Sequence, residues 1–415
     1  MESATGVSRE EIIRLMLCQL SAYGYSSLSQ AIATHTKVPM TTESNSRLSE
    51  LVSAGLQSES KRVSGDVDGD AEMSTDHHEE TGGLDLSRAA HSGVAEVPQY
   101  RTWYMTRHKG TATAVAFSRD GRYIATGSVD TSLKLIEVDR VRNPQTGSTR
   151  PEDKPVIRTL YNHLAEITAV AFHPNGLVLA SCSVDRTIKM FDLSAAYGKY
   201  SFQSFKDNYA YRSIAFHPSG EYLAAGGDGC EVRVYNVNTA KAYLLGAGAQ
   251  HSAGITRVSY AGRGALVGSS SRDGSVKLWD GASGKCVRTL DRAHGGQAVT
   301  AVTFSLNSKY ALTTGLDSRV CLWDVGSGRL VQTYEGAALE APSSEAVFSY
   351  DEALVTVADS RLNDVVSWDT YSGHLLARSA PHKQLITSIA PSPTTAAFMT
   401  CSADECVRYW SADDV

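Results

Sequence analysis

The chain has 415 residues, 42% of them apolar and 20% charged, with a formal net charge of −6. That length exceeds what one hydrophobic core supports, so several folding units or a repeat array are expected. No run nears 18 consecutive apolar residues, and MESATGVSREEIIRL carries charges where a secretory signal needs its apolar stretch, so neither a membrane span nor export is expected.

In the first segment, Ser8 and Glu11 have the spacing of a capping box at a helix start. Ile12, Ile13, Met16, Leu17 and Leu20 follow at helical spacing, and Gly24 supplies a stop. A second short helix carries Tyr25, Leu28 and Ile32, and a third follows Pro39. So small a unit has a marginal core, and its apolar surplus calls for a partner. Residues 1–60 are therefore expected to be a helical homodimerisation domain.

Residues 61–98 hold 3 basic and 9 acidic groups among Gly and Ser, and too few large apolar side chains to offset chain entropy. They read as an acidic flexible linker. His77 and His78 within it have no metal-site spacing. The seven cysteines are scattered, with no CxxC pair, and read as reduced thiols. Residues 99–415 are nearly neutral, with 32 basic and 30 acidic groups, which gives no long-range pull toward nucleic acid.

This third segment repeats. Aligned on an aspartate, the units read ATGSVD (Asp130), ASCSVD (Asp185), AAGGDG (Asp228), GSSSRD (Asp273), LTTGLD (Asp317), DSRLND (Asp364) and MTCSAD (Asp404). The intervals are around the length of a four-stranded propeller blade, and the long first one contains the turn-rich insert RNPQTGSTRPEDKP. A histidine precedes five of the aspartates by 22 or 23 residues (His108, His163, His251, His294, His382). Ser or Thr stands four before the aspartate, and an aromatic six after it in four units. Three units are complete: His251, Ser269, Asp273, Trp279; His294, Thr313, Asp317, Trp323; and His382, Thr400, Asp404, Trp410.

These are the marks of WD repeats, and the expected fold is mainly β: a seven-bladed WD40 β-propeller preceded by a small all-α domain. A set that recurs around a ring is a structural network, since a catalytic set is needed once. Blade 3 lacks the histidine and is expected to place Ala224 and Val234 in the network positions, while blade 6 has Trp368 out of register. The last unit ends at Trp410 one strand short, and QYRTWYMTR upstream is expected to supply it through Tyr100 to Thr106. No Walker A, GxSxG or zinc spacing is present, so neither an enzyme nor a cofactor is expected. Beside the constant anchors, Lys109, Leu164, Glu166, Arg272, Lys383 and Leu385 vary in type and are the expected partner-binding face.

HKGTATAVAFSRDGRYIATGSVDTSLKL, PVIRTLYNHLAEITAVAFHP, YRSIAFHPSGEYL and RAHGGQAVTAVTFSLNSKY resemble the WD-repeat subunits of the cleavage stimulation factor. The order of helical unit, linker and seven blades is similar too. The resemblance implies a nuclear, non-catalytic subunit of the pre-mRNA 3′-end cleavage and polyadenylation machinery. It further implies a homodimer whose propeller binds the helical-repeat scaffold subunit of that factor and other polyadenylation and transcription proteins, with RNA contacted indirectly. The alternative is a substrate receptor or adaptor of a ubiquitin ligase. Such receptors carry a basic residue two positions after the WD aspartate, where this chain has Ala282, Gly326 and Tyr371.

Overall fold

The computed structural model describes residue 84 and residues 98–142, 154–194, 200–246 and 248–412. Residues 1–60, and with them the proposed dimerisation positions, lie outside the described residues. Residues 80–415 form one compact unit, and it is a seven-bladed β-propeller.

Each blade is a four-stranded antiparallel meander running from a at the axis to d at the rim. In blade 4 these strands are Ile255–Tyr260, Leu266–Ser271, Val276–Asp280 and Cys286–Leu290. The inner strands of the other blades are Ala112–Phe117, Ile167–Phe172, Tyr211–Phe216, Val299–Phe304, Ala346–Phe348 and Ile386–Pro391. Because blades stack face to face, the b strands are buried on both sides, and they read as near-continuous small and apolar runs such as YIATGS and YALTTG. The core is thus a ring of inter-blade layers, with Trp279, Trp368, Tyr334 and Tyr409 among the largest fully buried side chains.

Threonines one residue into the inner strands tie neighbouring blades together. Thr168 Oγ1 donates to the Tyr211 carbonyl at 2.8 Å and Thr256 Oγ1 to that of Val299 at 2.7 Å. Thr113 does the same to Ile167, and Thr387 of blade 7 to Ala112 of blade 1, across the closure. A bulge recurs beside these residues, between Ile255 and Arg257 in blade 4 for example, and turns the threonine toward the next blade.

Closure is completed by Arg101–Arg107, which pairs antiparallel with Cys406–Ser411 as the outer strand of blade 7. Tyr100 itself precedes the strand and packs edge-on against Phe398 at 4.7 Å. The turn-rich insert lies within blade 1, between strand c (Ser132–Glu137) and strand d (Val156–Tyr161), and is preceded by a five-residue helix, α1 (Val138–Arg142).

Two expectations of register are corrected. In blade 3, Tyr235 pairs with Leu223 as Trp279 pairs with Val267, so Tyr235 and Ala225 hold the network positions, not Val234 and Ala224. Leu223 and Tyr235 are as far apart in sequence as Val267 and Trp279, so the turn is unchanged; Gly229, and not Asp228, stands where blade 4 has Asp273. In blade 6, Trp368 pairs with Val355 and is in register, a long turn from Asp359 to Asp364 having hidden the match. The acidic linker also meets the described residues before Pro98 at one point: Leu84 is 2% exposed, so at that residue it is packed and not freely solvated.

Candidate binding face and its polar anchors

Strand alternation sends the loops before strand a and those between b and c to one face of the ring. There the histidines and aspartates meet. His251 Nε2 lies 2.7 Å from Ser269 Oγ, and its Nδ1 lies 3.2 Å from Asp273 Oδ2. Trp279 Nε1 donates to the same Ser269 Oγ at 2.8 Å. His294 is 2.8 Å from both Thr313 Oγ1 and Asp317 Oδ1, with Trp323 Nε1 donating to Thr313 at 2.8 Å. His382 is 2.7 Å from Thr400 Oγ1 and 3.2 Å from Asp404 Oδ2, with Trp410 donating to Thr400 at 2.9 Å.

The indole can only donate, so the hydroxyl accepts from it and donates onward to Nε2. That leaves Nδ1–H to donate to the carboxylate, a neutral imidazole with every polar atom used. All five network imidazoles have side chains at 0% exposure. Burial disfavours the cation and pushes His163, His251 and His382 below their ordinary value, and His108 down to about 4, against the upward pull of the aspartates. Blades 1 and 2 have Ile136 and Phe191 at the indole position, so their chains stop at Thr126 and Ser181.

Each aspartate has a second task. Asp273 accepts from the Ser252 amide at 2.8 Å, the Ser275 amide at 2.8 Å and Ser275 Oγ at 2.6 Å. Burial alone would raise its pKa, but these donors outweigh it and hold the carboxyl at about 2. The hydroxyl two positions after the aspartate recurs as Ser132 and Thr187. Sequence reading missed it, although DTS, DRT and DGS were there to be aligned. A histidine between a hydroxyl and a carboxylate has the order of a hydrolase triad. Here Ser269 Oγ already accepts from an indole, and Ser269 is 0% exposed, so no substrate reaches it.

The expected partner residues sit around these anchors. The amides of Lys109, Leu164 and Lys383 donate to Asp130 (2.7 Å), Asp185 (3.0 Å) and Asp404 (3.3 Å). Their backbones are therefore fixed while their side chains are exposed, Leu164 at 88%. Leu385 is half-buried. Glu166 and Arg272 turn inward instead, lining a cavity of about 260 Å³ at the mouth of the central channel. The structure joins these two through residues not foreseen: Glu166 faces Arg212 at 3.8 Å, Arg212 pairs with Asp228 at 3.0 Å, and Asp228 faces Arg272 at 3.8 Å. Across the cavity Arg257 pairs with buried Glu345 at 2.5 Å. Burial raises the Glu345 pKa and Arg257 opposes that rise. No sequence signal marked Arg257 or Glu345, because they lie outside the repeated anchors. Among the described residues no group of His, Cys, Asp and Glu has the arrangement of a metal site.

Such a ring presents pinned loop backbones under a varied and exposed set of side chains. The model of the WD domain, G-beta repeat, matches residues 99–137, 154–192, 201–236, 245–280, 284–324 and 369–411, and the chain belongs to the WD40 family. The unmatched stretch contains most of blade 6. Among curated relatives, cleavage stimulation factor subunit 50 of Arabidopsis thaliana is 35% identical over 206 residues, 48% of this chain and 48% of that protein. The probable cytosolic iron-sulfur protein assembly protein 1 of Malassezia globosa is 34% identical over 27% of this chain and 31% of its own length. Pre-mRNA-processing factor 19 of Dictyostelium discoideum is 28% identical over 25% of this chain and 18% of its own. The chain thus aligns with half or less of each relative's length.

Proposed function

We propose that this protein is a non-catalytic WD40 subunit of the nuclear pre-mRNA 3′-end processing machinery. The observation that carries this reading is the 35% identity to the Arabidopsis cleavage stimulation factor subunit, which covers more of the chain than the other two relatives do. The propeller binds the helical-repeat scaffold subunit of the same factor and other processing proteins, and RNA is reached through partners. Its near-neutral charge supports the last point, because phosphate neutralisation needs clustered cations. Residues 1–60 hold the chain as a homodimer and 61–98 form the linker.

Lys109, Leu164, Glu166, Arg272, Lys383 and Leu385 supply the contact surface, mixing cationic, apolar and acidic groups on fixed backbones. The test is capture of the scaffold subunit by purified full-length protein. Arg272→Ala combined with Leu385→Ala should keep the melting temperature near wild type and weaken capture at least about tenfold, the effect of losing roughly 1.4 kcal/mol. Wild-type capture by the folded double variant places the contact elsewhere. Failure of the wild type to capture that subunit rejects the assignment.

A further inference from the structure

The opposite face of the ring, where the loops between strands a and b emerge, holds a built socket in blades 5 and 6. Leu84 fills it. Its side chain joins the apolar cluster containing Tyr310, Leu312, Phe348, Val355 and Trp368. Its amide donates to Glu352 Oε2 at 2.8 Å, and its carbonyl accepts from Asn307 Nδ2 at 2.5 Å. The other oxygen of Glu352 accepts from the Leu306 amide, so one buried carboxylate joins the blade 5 loop to the docked residue.

Glu352 is itself out of place for a turn residue. It has φ +57°, at the position where blades 1 to 4 have Gly121, Gly176, Gly220 and Gly264 at φ +72° to +82° and blade 5 has Ser308 at φ +62°. A side chain in that conformation is strained, whereas glycine adopts it freely. The strained residue is the one whose carboxylate, 3% exposed, holds the Leu84 backbone. Strain retained where glycine would relieve it argues for a use of the side chain.

We propose that this socket is a binding site for a leucine-centred peptide, read through one backbone N–H, one C=O and a buried isobutyl group, and that its occupant is this chain's own Leu84. Docking holds Leu84 on the face opposite the histidine loops and leaves those loops free for partners. This inference is independent of the assignment to RNA processing.

The test uses the full-length chain as wild type, Leu84→Asp and Glu352→Gly. Hydrogen exchange should show the amide of residue 84 protected in the wild type and unprotected in both variants. Glu352→Gly is the informative change. It relieves the turn, so a purely structural role predicts unchanged or higher melting temperature with Leu84 still protected. A labelled peptide of residues 80–90 should bind the vacated socket of Leu84→Asp at least about tenfold more tightly than the wild type, whose tethered residue competes at millimolar effective concentration. An unprotected Leu84 amide in the wild type, continued protection in Glu352→Gly, or no peptide binding to folded Leu84→Asp overturns the proposal.

Discussion

The guanidinium of Arg378 lies 2.9 Å from the carboxylate of Asp359, in a blade where no histidine reaches the aspartate. Asp359 accepts the Ala338, Arg361 and Leu362 amides, the loop-pinning task that Asp273 performs in blade 4. Arg378 also pairs with Asp364 at 3.1 Å and donates to the Gly336 carbonyl at 2.6 Å. Trp368, with Val357 where blade 4 has Ser269, sends its indole N–H to the Glu335 carbonyl.

Arg378→Ala should therefore leave Asp359, only 2% exposed, without its cation. The expected loss is about 1–3 kcal/mol, held below that of a fully buried pair because the arginine is itself partly solvated. Thermal unfolding of the two proteins measures it. An unchanged melting temperature means that the three backbone donors suffice.

In blade 5, Thr313 Oγ1 serves both Trp323 and His294. Thr313→Val keeps the volume and orphans the buried His294 Nε2 and the part-buried Trp323 indole, an expected loss of about 2–4 kcal/mol. Trp323→Phe removes the donor and leaves the imidazole bond in place, so it should cost less than Thr313→Val at that network. Denaturant midpoints of both variants decide the order. Equal effects would show that indole packing, and not the hydrogen-bonded chain, dominates.

Acid should weaken the propeller from mildly acidic pH downward. An unfolded imidazole takes a proton near 6.5, whereas folded His108 does so near 4, and His163, His251 and His382 are shifted the same way. Between those values the unfolded state binds more protons, so stability falls as pH drops from 6.5 toward 4, on the order of 3 kcal/mol for His108. Asp273 adds a second phase. Its stabilisation is complete above 3.8 and lost as pH falls through about 2. Melting temperatures recorded from pH 7.5 to 4 should decline steadily, and a flat profile down to pH 5 counts against a buried neutral network.

The N-terminal proposal has its own check. Full-length protein should scatter light as a dimer at micromolar concentration, and Ile13→Asp with Leu17→Asp should return it to monomer. Burial of each large side chain contributes roughly 1.5–3 kcal/mol to such an interface. A monomeric wild type would reject the assignment of residues 1–60.

The blades were legible because WD repeats restate their anchors at regular spacing, and because QYRTWYMTR had no blade of its own. Anchoring on Asp228, where Gly229 is the equivalent of Asp273, misplaced blade 3 by one residue, and a longer b–c turn hid the register of Trp368. A turn can lengthen without altering strand pairing, so spacing measures loops as well as sheets. The Arg212–Asp228–Arg272 chain was hidden for a different reason. It is built between blades, where repeat-against-repeat alignment does not look. Leu84 sits among Gly and Asp, and only the turn chemistry of blades 5 and 6 gives it a place.

The pairing of Arg101–Arg107 with Cys406–Ser411 also sets an order of events in synthesis. The first of these strands emerges roughly 300 residues before its partner, a delay of about 15–60 s at typical elongation rates. Throughout that interval Tyr104, Met105 and their neighbours offer an unpaired β edge to whatever is nearby. Six blades can stack meanwhile, but the ring stays open until the last strand arrives. For that period a nascent-chain chaperone, or the corresponding strand of another copy on the same polysome, competes for the seat that Cys406–Ser411 finally takes.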